Sequence, residues 1–250
     1  MKYFFYGSLL LAAFFTQAEA VKPTETVVKV EINQQLYVFD QLPRLADVLA
    51  PVALERNWYW PASALYRTDD DTAQVLKQQV LAQLTLLQQE HSTDAQIHAA
   101  LITMMQQVQS WTLATRILIP IDYDFARVRA PLNPRFTAGN YVLQLYTRPS
   151  QVRVFGLVES PLDVAHQSAE NIVSYLSELK VLDAAATEFV FLLQPDGRII
   201  KVSVAAWQRD AVEAMPGAQL FVPFKGSLFS NKWQRLNQDI IELARHRVLL

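Results

Sequence analysis

The sequence predicts an α+β protein with two tandem β-grasp domains, in each of which a short helix crosses one open sheet. Two observations predict this class. A pattern of two strands, one short helix and further strands occurs twice along the chain. Two segments with helical periodicity lie outside that pattern, an insert at 69–111 in the first domain and an amphipathic helix at 230–250. We therefore expect a first domain over residues 21–149 and a second over 150–226.

The N-terminal segment, residues 1–20, has the three parts of a secretory signal peptide. Met1 and Lys2 form a basic start, residues 9–15 form an apolar run, and an A-x-A cleavage site ends at Ala20. The apolar run is shorter than the roughly 20 residues of a membrane-spanning helix. We therefore expect cleavage of this segment, a periplasmic protein, and no transmembrane segment in the mature chain.

Composition argues against several classes of partner and cofactor. The net charge of −2 at pH 7 gives no electrostatic reason to expect a nucleic-acid partner. With 6 glycines in 250 residues, a glycine-rich phosphate loop is not expected, and we predict no cofactor. The chain has no cysteine, although an oxidising compartment permits disulfides, so its core alone must stabilise it.

The first domain begins with a hairpin and a short helix. Residues 27–32 alternate between apolar and polar side chains, residues 33–35 form a turn, and residues 36–39 form the second strand. Pro43 is placed at the start of the helix, where its fixed φ angle is favourable. We expect residues 57–66 to continue as an extended, aromatic segment. The apolar face of the helix carries Leu45, Val48 and Leu49.

Residues 69–111 have the periodicity of a helical hairpin. Asp71 with Gln74, and Thr93 with Gln96, have the spacing of capping boxes at the two helix starts. An isolated hairpin of this length would be marginally stable, so we expect it to pack against both domains and hold them together. Its two apolar stripes consist of Leu76, Val80, Leu84 and Leu87, and of Ile97, Leu101, Met104, Val108 and Trp111.

The remaining strands complete the first domain and repeat the pattern in the second. In chain order, we expect strands at 116–122, 141–146 and 152–158, a helix at 168–179, a hairpin of strands 189–193 and 198–204, and a last strand at 219–224. Residues 195–197, with the sequence Pro-Asp-Gly, support the hairpin because each residue type favours turn conformations. The buried side of the helix is expected to carry Ile172, Tyr175, Leu176 and Leu179.

The C-terminal helix at 230–250 has one apolar stripe. Three interpretations fit it: docking on its own domain, lying on a membrane surface, and insertion into an oligomeric ring. Docking is favoured because amphipathic helices normally bury one stripe in a core. The membrane surface is less favoured because Asp239 and Glu242 dilute the cationic face. The stripe consists of Trp233, Leu236, Ile240 and Leu243.

Several short segments follow one another along the mature chain in a characteristic order. They are Trp58-Tyr59-Trp60-Pro61, Leu132-Asn133-Pro134 followed by Gly139, Arg148-Pro149, Gln194-Pro195-Asp196-Gly197, Pro216-Gly217-Ala218 before Val222-Pro223-Phe224, and Leu236-Asn237. In order and spacing they resemble the GfcC family of periplasmic capsule and exopolysaccharide biosynthesis proteins. The family itself resembles the periplasmic part of the outer-membrane polysaccharide exporter Wza.

The resemblance implies tandem β-grasp domains of the ubiquitin-like type, related to the sugar-binding SLBB modules. It also implies that the C-terminal helix packs on the second domain, whereas the corresponding helix of the exporter lines a membrane pore. The turn at Gly139-Asn140 departs from the common Gly-Asp of such turns and lacks its charge. This departure weakens any ligand role for that turn.

Arg116 is the charged residue of greatest interest, because it opens an apolar strand directly after the helical insert. A buried guanidinium requires a carboxylate partner, since an unpaired buried charge is costly. We interpret Arg116 as a candidate for a central structural salt bridge that fixes the insert and both domains. An ordinary solvent-exposed arginine at a strand edge is the alternative, and the resemblance favours the buried role.

Trp58, Tyr59 and Trp60 are candidates for contact with a sugar or a protein partner, because flat aromatic faces suit carbohydrate C–H surfaces. Arg148 and Tyr146 are further candidates for the same kind of contact. The alternative is that these side chains fill the core and the seam between the domains. That alternative is favoured, because aromatic side chains dominate ordinary cores and interfaces.

The chain contains no recognisable reaction centre. Asp69-Asp70-Asp71 is better explained by a helix start than by a cation site. Asp122 and Asp124 alternate at a strand end without an assignable general acid. The 4 histidines lack metal-ligand spacing, and the chain has no nucleophile elbow or metalloprotease motif. We therefore predict no catalytic residues, no metal site, and a protein that is not an enzyme.

The architecture and the resemblance together predict a non-enzymatic periplasmic assembly or accessory factor in capsule or exopolysaccharide biosynthesis and export. The expected partners are outer-membrane polysaccharide secretion proteins, a barrel or a lipoprotein, with polysaccharide as a further candidate. The alternative function is a periplasmic carbohydrate-binding module that guides the nascent polysaccharide. A glycan-modifying enzyme ranks third.

Overall fold

The computed structural model describes residues 27–177, 179–205, 208–226 and 231–249. The predicted signal peptide at 1–20 lies outside these residues. The described part of the chain forms two mixed β-sheets and six α-helices, which confirms the α+β class. None of the helices in these ranges is long and apolar enough to cross a membrane.

The first sheet has five strands in the order β2-β1-β5-β3-β4. Its strands are β1 (Val28–Ile32), β2 (Gln35–Phe39), β3 (Ala64–Arg67), β4 (Thr115–Ile117) and β5 (Gly139–Gln144). Strand β1 pairs antiparallel with β2 and parallel with β5. The sheet therefore has a parallel pair at its centre and a hairpin strand, β2, at one edge.

The hairpin between β1 and β2 turns on two residues with left-handed backbone, Asn33 and Gln34, at φ 46° and 75°. Such two-residue turns match the twist of the flanking strands. The Asn33 amide also holds the neighbouring chain: it donates to the Leu145 carbonyl at 3.1 Å and accepts from the Leu145 N–H at 3.0 Å. Helix α1 (Leu45–Leu49) follows, and its predicted apolar residues Leu45, Val48 and Leu49 are buried.

Two parts of the first domain differ from the sequence-based prediction. The segment 57–66 is interrupted by a 3-10 turn at Trp60–Ala62, where a proline follows the first residue. The strand predicted at 116–122 ends at Ile117, because Pro120 cannot donate to a ladder and Asp122 starts helix α4 (Tyr123–Val128). The Asp122 carboxylate caps α4 by accepting from the Phe125 N–H at 2.9 Å, so it does not lie on a strand end.

The helical hairpin consists of α2 (Thr72–Glu90) and α3 (Ala95–Ser110). Both capping-box predictions were wrong. Asp94, rather than Thr93, caps α3 and accepts from two backbone N–H groups at 3.1 Å. At the start of α2, Asp71 makes no side-chain cap, whereas Asp70 accepts from the Thr72 N–H at 2.8 Å.

The second sheet has six strands in the order β10-β9-β8-β11-β6-β7. They are β6 (Gln151–Gly156), β7 (Leu162–Ala165), β8 (Phe189–Leu193), β9 (Ile199–Ala205), β10 (Gln208–Arg209) and β11 (Gln219–Val222). Strand β6 pairs antiparallel with β7 and parallel with β11, as β1 does with β2 and β5. The five strands β7-β6-β11-β8-β9 therefore repeat the order of the first sheet, and β10 is an additional edge strand.

Three elements of the second domain also differ from the sequence-based prediction. Strands β7 and β10 were not predicted at all. Helix α5 (Ile172–Leu176) is shorter than the predicted 168–179, because Asn171 caps it by accepting from the Val173 N–H at 3.0 Å. Ile172 and Tyr175 are buried on its inner side.

The helical hairpin buries its apolar faces together with the second sheet, although it interrupts the first sheet in sequence. Its stripes share one large core with β6, β8 and β11, whereas the smaller core beneath the first sheet includes none of the described residues of α2 or α3. The buried Gln107 side chain fixes this docking: its amide donates to the Gly156 carbonyl at 2.8 Å and accepts from the Gly156 N–H at 3.0 Å. Gly156 has φ 101°, and a Cβ atom there would lie 2.3 Å from the Val222 carbonyl oxygen.

The C-terminal helix, α6 (Lys232–Arg245), lies in the same large core. Its stripe, Trp233, Leu236, Ile240 and Leu243, is buried there with residues of α2 and the second sheet. The buried Asn237 amide binds both the N–H and the carbonyl of Phe224, at 2.9 and 2.8 Å. After the helix, the chain runs beside residues 112–114, where the Ala114 N–H donates to the His246 carbonyl at 3.1 Å. The helix is thus docked along its length within its own chain.

Candidate functional site

A cavity of about 200 Å³ lies at the seam where the two sheets and the C-terminal segment meet. We call it the seam cavity. Strands β3 and β4 of the first sheet, β6, β7 and β11 of the second, and the residues after α6 all contribute to its lining. Its charged and phenolic side chains are Tyr66, Arg116, Tyr146, Arg153, Asp163 and Arg247.

Arg116 lies on β4, opposite Tyr66 of β3, and reaches across the seam. Its Nη2 donates a short hydrogen bond to the carbonyl of Pro195, in the turn between β8 and β9. Its backbone N–H donates to Nδ1 of His246 at 2.9 Å. The ion pairs among the described residues do not include Arg116. The cross-seam contact is therefore a hydrogen bond to a carbonyl, whereas the sequence suggested a salt bridge. Burial lowers the pKa of the Arg116 guanidinium.

Arg247, just beyond α6, also lines the seam cavity. Its Nη1 donates to Oε1 of Gln219 at 3.0 Å, and its guanidinium lies over the rings of Trp111 and Phe155, at 4.6 and 5.5 Å from their centroids. Burial, assisted by the nearby charge of Arg153, lowers the pKa of Arg247 to about 10. The ring faces and the amide oxygen are neutral partners, so they do not cancel the positive charge of the Arg247 guanidinium.

Arg153 and Asp163 form a cross-strand ion pair at the half-exposed side of the cavity. They face each other in the register of β6 and β7. Arg153 Nε lies 2.7 Å from Asp163 Oδ1, and Nη2 lies 2.9 Å from Oδ2, so the pair is bidentate. The hydrogen bonds from Arg153 lower the pKa of the Asp163 carboxyl. This carboxylate is thus already matched with one guanidinium.

Two tyrosines, the buried Tyr66 and the partly buried Tyr146, attach the C-terminal segment to the first domain. Tyr66 Oη donates to the Arg247 carbonyl at 2.8 Å. Tyr146 Oη lies 2.6 Å from the carbonyl oxygen of Leu249 and 2.6 Å from Oε1 of Gln144. Burial raises the pKa of both phenols, so they stay neutral donors at physiological pH.

The structure separates the three aromatic residues that the sequence grouped together. Trp58 is 9% exposed, belongs to the smaller core, and donates from Nε1 to the Val52 carbonyl at 2.8 Å. Tyr59 lies beneath the exposed Arg148, whose guanidinium is 5.4 Å from the ring centroid. Trp60 is half-buried and lines a different surface depression.

That depression, which we call the apolar groove, has a volume of about 620 Å³ and also lies between the two domains. Trp60, Leu118, Phe125 and Met215 form its apolar lining. Two buried polar atoms of groove residues, Ser63 Oγ and Arg245 Nε, have no hydrogen-bond partner among the described residues. The groove is thus a second candidate site, larger than the seam cavity and lined by equal numbers of acidic and basic side chains.

Sequence reasoning selected Arg116 but missed Arg153, Asp163 and Arg247. In the sequence, Arg153 is a polar residue between two apolar ones, Val152 and Val154. Every strand with one exposed face shows this alternation, so the pattern did not distinguish Arg153. Arg247 lies in the last turns of the predicted helix at 230–250, where the helix dipole alone accounts for a positive charge. No group of described side chains has the composition of a metal site.

Comparison with known proteins places this two-sheet chain in a class of capsule biosynthesis proteins. Residues 22–150 match the family model described as capsule biosynthesis GfcC, N-terminal, and residues 160–249 match the one described as capsule biosynthesis GfcC C-terminal. The uncharacterized protein YjbG of Escherichia coli (strain K12) is 32% identical over 204 residues, which cover 82% of each chain. The chain belongs to the GfcC family.

Proposed function

We propose that this protein is a non-enzymatic periplasmic assembly or accessory factor in capsule or exopolysaccharide biosynthesis and export. Membership of the GfcC family supports the pathway, and the sequence of residues 1–20 supports the compartment. We further propose that both domains are β-grasp units of the ubiquitin-like, SLBB-related type. In support, each sheet places the first strand of its opening hairpin parallel to its last long strand.

The observation that carries the assembly role is an edge of the first sheet to which no other described strand pairs. Strand β2 is the outer strand, and its Leu36 and Val38 side chains are 61% and 55% exposed. In a hairpin with a two-residue loop, the two residues that flank the loop form a hydrogen-bonded pair, and here these are Ile32 and Gln35. From there, non-hydrogen-bonded and hydrogen-bonded pairs alternate along β1 and β2. The backbone N–H and C=O groups of Leu36 and Val38 therefore point away from β1.

An edge of this kind is normally protected. Proteins cover free strands or place charged residues, proline or bulges on them, because a bare edge pairs with other chains. The sequence of Gln35–Phe39, QLYVF, contains neither a charge nor a proline. We propose that a strand of an outer-membrane polysaccharide secretion protein, a barrel or a lipoprotein, adds to this edge in the envelope.

The proposal can be tested by cross-linking in living cells. A photo-reactive amino acid is placed at Val38, and the matched control carries it at Leu54, which is 93% exposed but lies outside the sheets. We expect Val38 adducts to contain an outer-membrane barrel or lipoprotein that is missing from Leu54 adducts. Identical adducts at both positions, or no protein adduct at Val38, would contradict the docking role.

The apolar groove favours a second candidate function, a carbohydrate-binding module that guides the nascent polysaccharide. Trp60 and Phe125 offer aromatic faces there, and the volume of about 620 Å³ lies within the usual range of ligand sites, about 300–1,000 Å³. The test is binding of purified capsular polysaccharide to the protein and to Trp60→Ala, with Tyr59→Ala as the control outside the groove. Weaker binding by Trp60→Ala alone would support this function, and equal binding by all three would exclude the groove.

A further inference from the structure

The charges around the seam cavity do not balance. Three guanidiniums, those of Arg116, Arg153 and Arg247, line it together with one carboxylate, Asp163. Arg153 already occupies both oxygens of that carboxylate. Among the described residues, no carboxylate forms an ion pair with Arg116 or Arg247. Among the described residues, the direct contacts of these two partly buried guanidiniums are therefore neutral, and the nearest carboxylates, Asp196 for Arg116 and Asp163 for Arg247, act on them only at longer range.

Such an arrangement is costly for a protein without a ligand. Buried charges in proteins are normally paired, because removing an ion from water is expensive and a neutral partner recovers only part of that cost. Burial lowers the pKa of both guanidiniums, because removal from water disfavours their charged form. Arg116 and Arg247 each make one hydrogen bond through their guanidinium nitrogens in the described structure, so most of their donors remain available.

We infer that the seam cavity is a binding site for an anionic group, a carboxylate or a phosphate, on a ligand of which about one sugar unit enters the cavity. Planar guanidiniums recognise both groups through paired hydrogen bonds. A volume of about 200 Å³ lies below the usual range of ligand sites, about 300–1,000 Å³. The site therefore has room for about one charged unit of a ligand.

The walls of the cavity are held in place before any ligand arrives. The Tyr66 hydroxyl fixes the backbone of Arg247, and the side chain of Gln194 is tied to two backbone groups, the Glu213 carbonyl and the Met215 N–H, both at 2.9 Å. Arg116 is held by the Pro195 carbonyl. A site with fixed donors loses little conformational freedom on binding, which favours affinity for a small ligand.

The first experiment measures ligand-dependent thermal unfolding and binding heats of the purified full-length mature protein. The probes are sodium glucuronate, inorganic phosphate, and glucose as the neutral sugar of matched size, all at one ionic strength. We expect glucuronate or phosphate, but not glucose, to raise the unfolding temperature, and the stronger of the two anions identifies the preferred group. An equal response to glucose and glucuronate, or no response to either anion, would overturn the inference.

Charge-removing variants assign the effect to the cavity. Arg247→Met keeps an apolar stem and removes the charge, and Arg148→Met makes the same change at an exposed arginine outside the cavity. We expect Arg247→Met to bind the anion at least about tenfold more weakly, while Arg148→Met binds like the parent protein. In the absence of anion, Arg247→Met should be as stable as the parent or more so, because it removes an uncompensated buried charge.

A second substitution guards against a variant that fails to fold. Arg247→Lys keeps the charge but lacks the planar fork, so we expect a folded protein with weaker anion binding. Unchanged binding in both Arg247 variants would overturn the inference. These measurements need no envelope partner, so they are independent of whether β2 docks another protein.

Discussion

The two sheets share the order of five strands but are stabilised in different ways. The smaller core, beneath the first sheet, is built from β1, β3, β5, α1, α4 and the loops between them. The larger core combines the second sheet with α2 and α3, which lie within the first domain in sequence, and with α6 at the end of the chain. Sequence position therefore does not tell which core a segment stabilises. The second sheet depends on helices that are distant in sequence on both sides.

The sharpest test of this contrast compares one leucine from each core. Leu84 of α2 and Leu45 of α1 are both fully buried. We expect Leu84→Ala and Leu45→Ala each to lower the free energy of unfolding by about 2–5 kcal/mol. Hydrogen exchange separates them: Leu84→Ala should speed exchange in α6 and the second sheet, whereas Leu45→Ala should speed it in β1 and β5. Faster exchange in the same elements for both variants would show that the two cores are one cooperative unit.

A smaller effect tests the polar contact that attaches the hairpin to the second sheet. Gln107→Ala leaves the buried N–H of Gly156 without its side-chain acceptor, which costs about 1–3 kcal/mol of unfolding free energy. The neighbouring Gln106 is exposed, so Gln106→Ala is the matched control and should stay within about 0.5 kcal/mol of the parent. Urea denaturation measures both. Equal stability of the two variants would mean that apolar packing alone docks the hairpin.

The buried helix faces could be predicted from the sequence and the polar contact of Gln107 could not, for a physical reason. The apolar faces of α1, α2, α3 and α6 could be predicted, because helical periodicity is local and reports which side of a helix is buried. The bond from Gln107 to Gly156, 49 residues away, left no local signal, since an isolated glutamine on a helix reads as a solvated residue. The seam cavity was missed in the same way: Arg116 stood out, but its neighbours Arg153 and Arg247 come from other elements.

The sequence-based prediction also failed where two local patterns favoured different structures. Pro120 and Asp122 end β4 and start α4, yet the apolar run before them favoured a longer strand. At the start of α3, Thr93 fitted a capping box, but Asp94, one residue later, has the carboxylate that reaches two N–H groups. Boundaries of elements depend on such single contacts, whereas their existence depends on many residues.

The smallest expected effect concerns the junction between the two regions, where His246 at the end of α6 meets β4. Its Nδ1 accepts from the Arg116 N–H at 2.9 Å, a bond that only the unprotonated nitrogen can make. Burial, followed by the charges of Arg245 and Arg116, lowers the pKa of His246 in the folded protein, although Glu242 lies 3.9 Å from Nε2. The hydrogen bond that Nδ1 accepts acts in the same direction, because protonation of Nδ1 would break it.

The sign of the pH dependence follows from this lowered pKa. Below about pH 6.5, the ordinary value for histidine, the unfolded chain binds a proton that the folded protein does not, so acid favours unfolding. The contribution of His246 is fully present above that pH and declines as the pH falls from 6.5 towards the folded-state pKa, by at most about 1.4 kcal/mol per pH unit. Urea unfolding of the parent and of His246→Gln between pH 5 and pH 8 measures it. The variant should show a shallower loss of stability in acid, and parallel curves would mean that His246 does not couple the two regions.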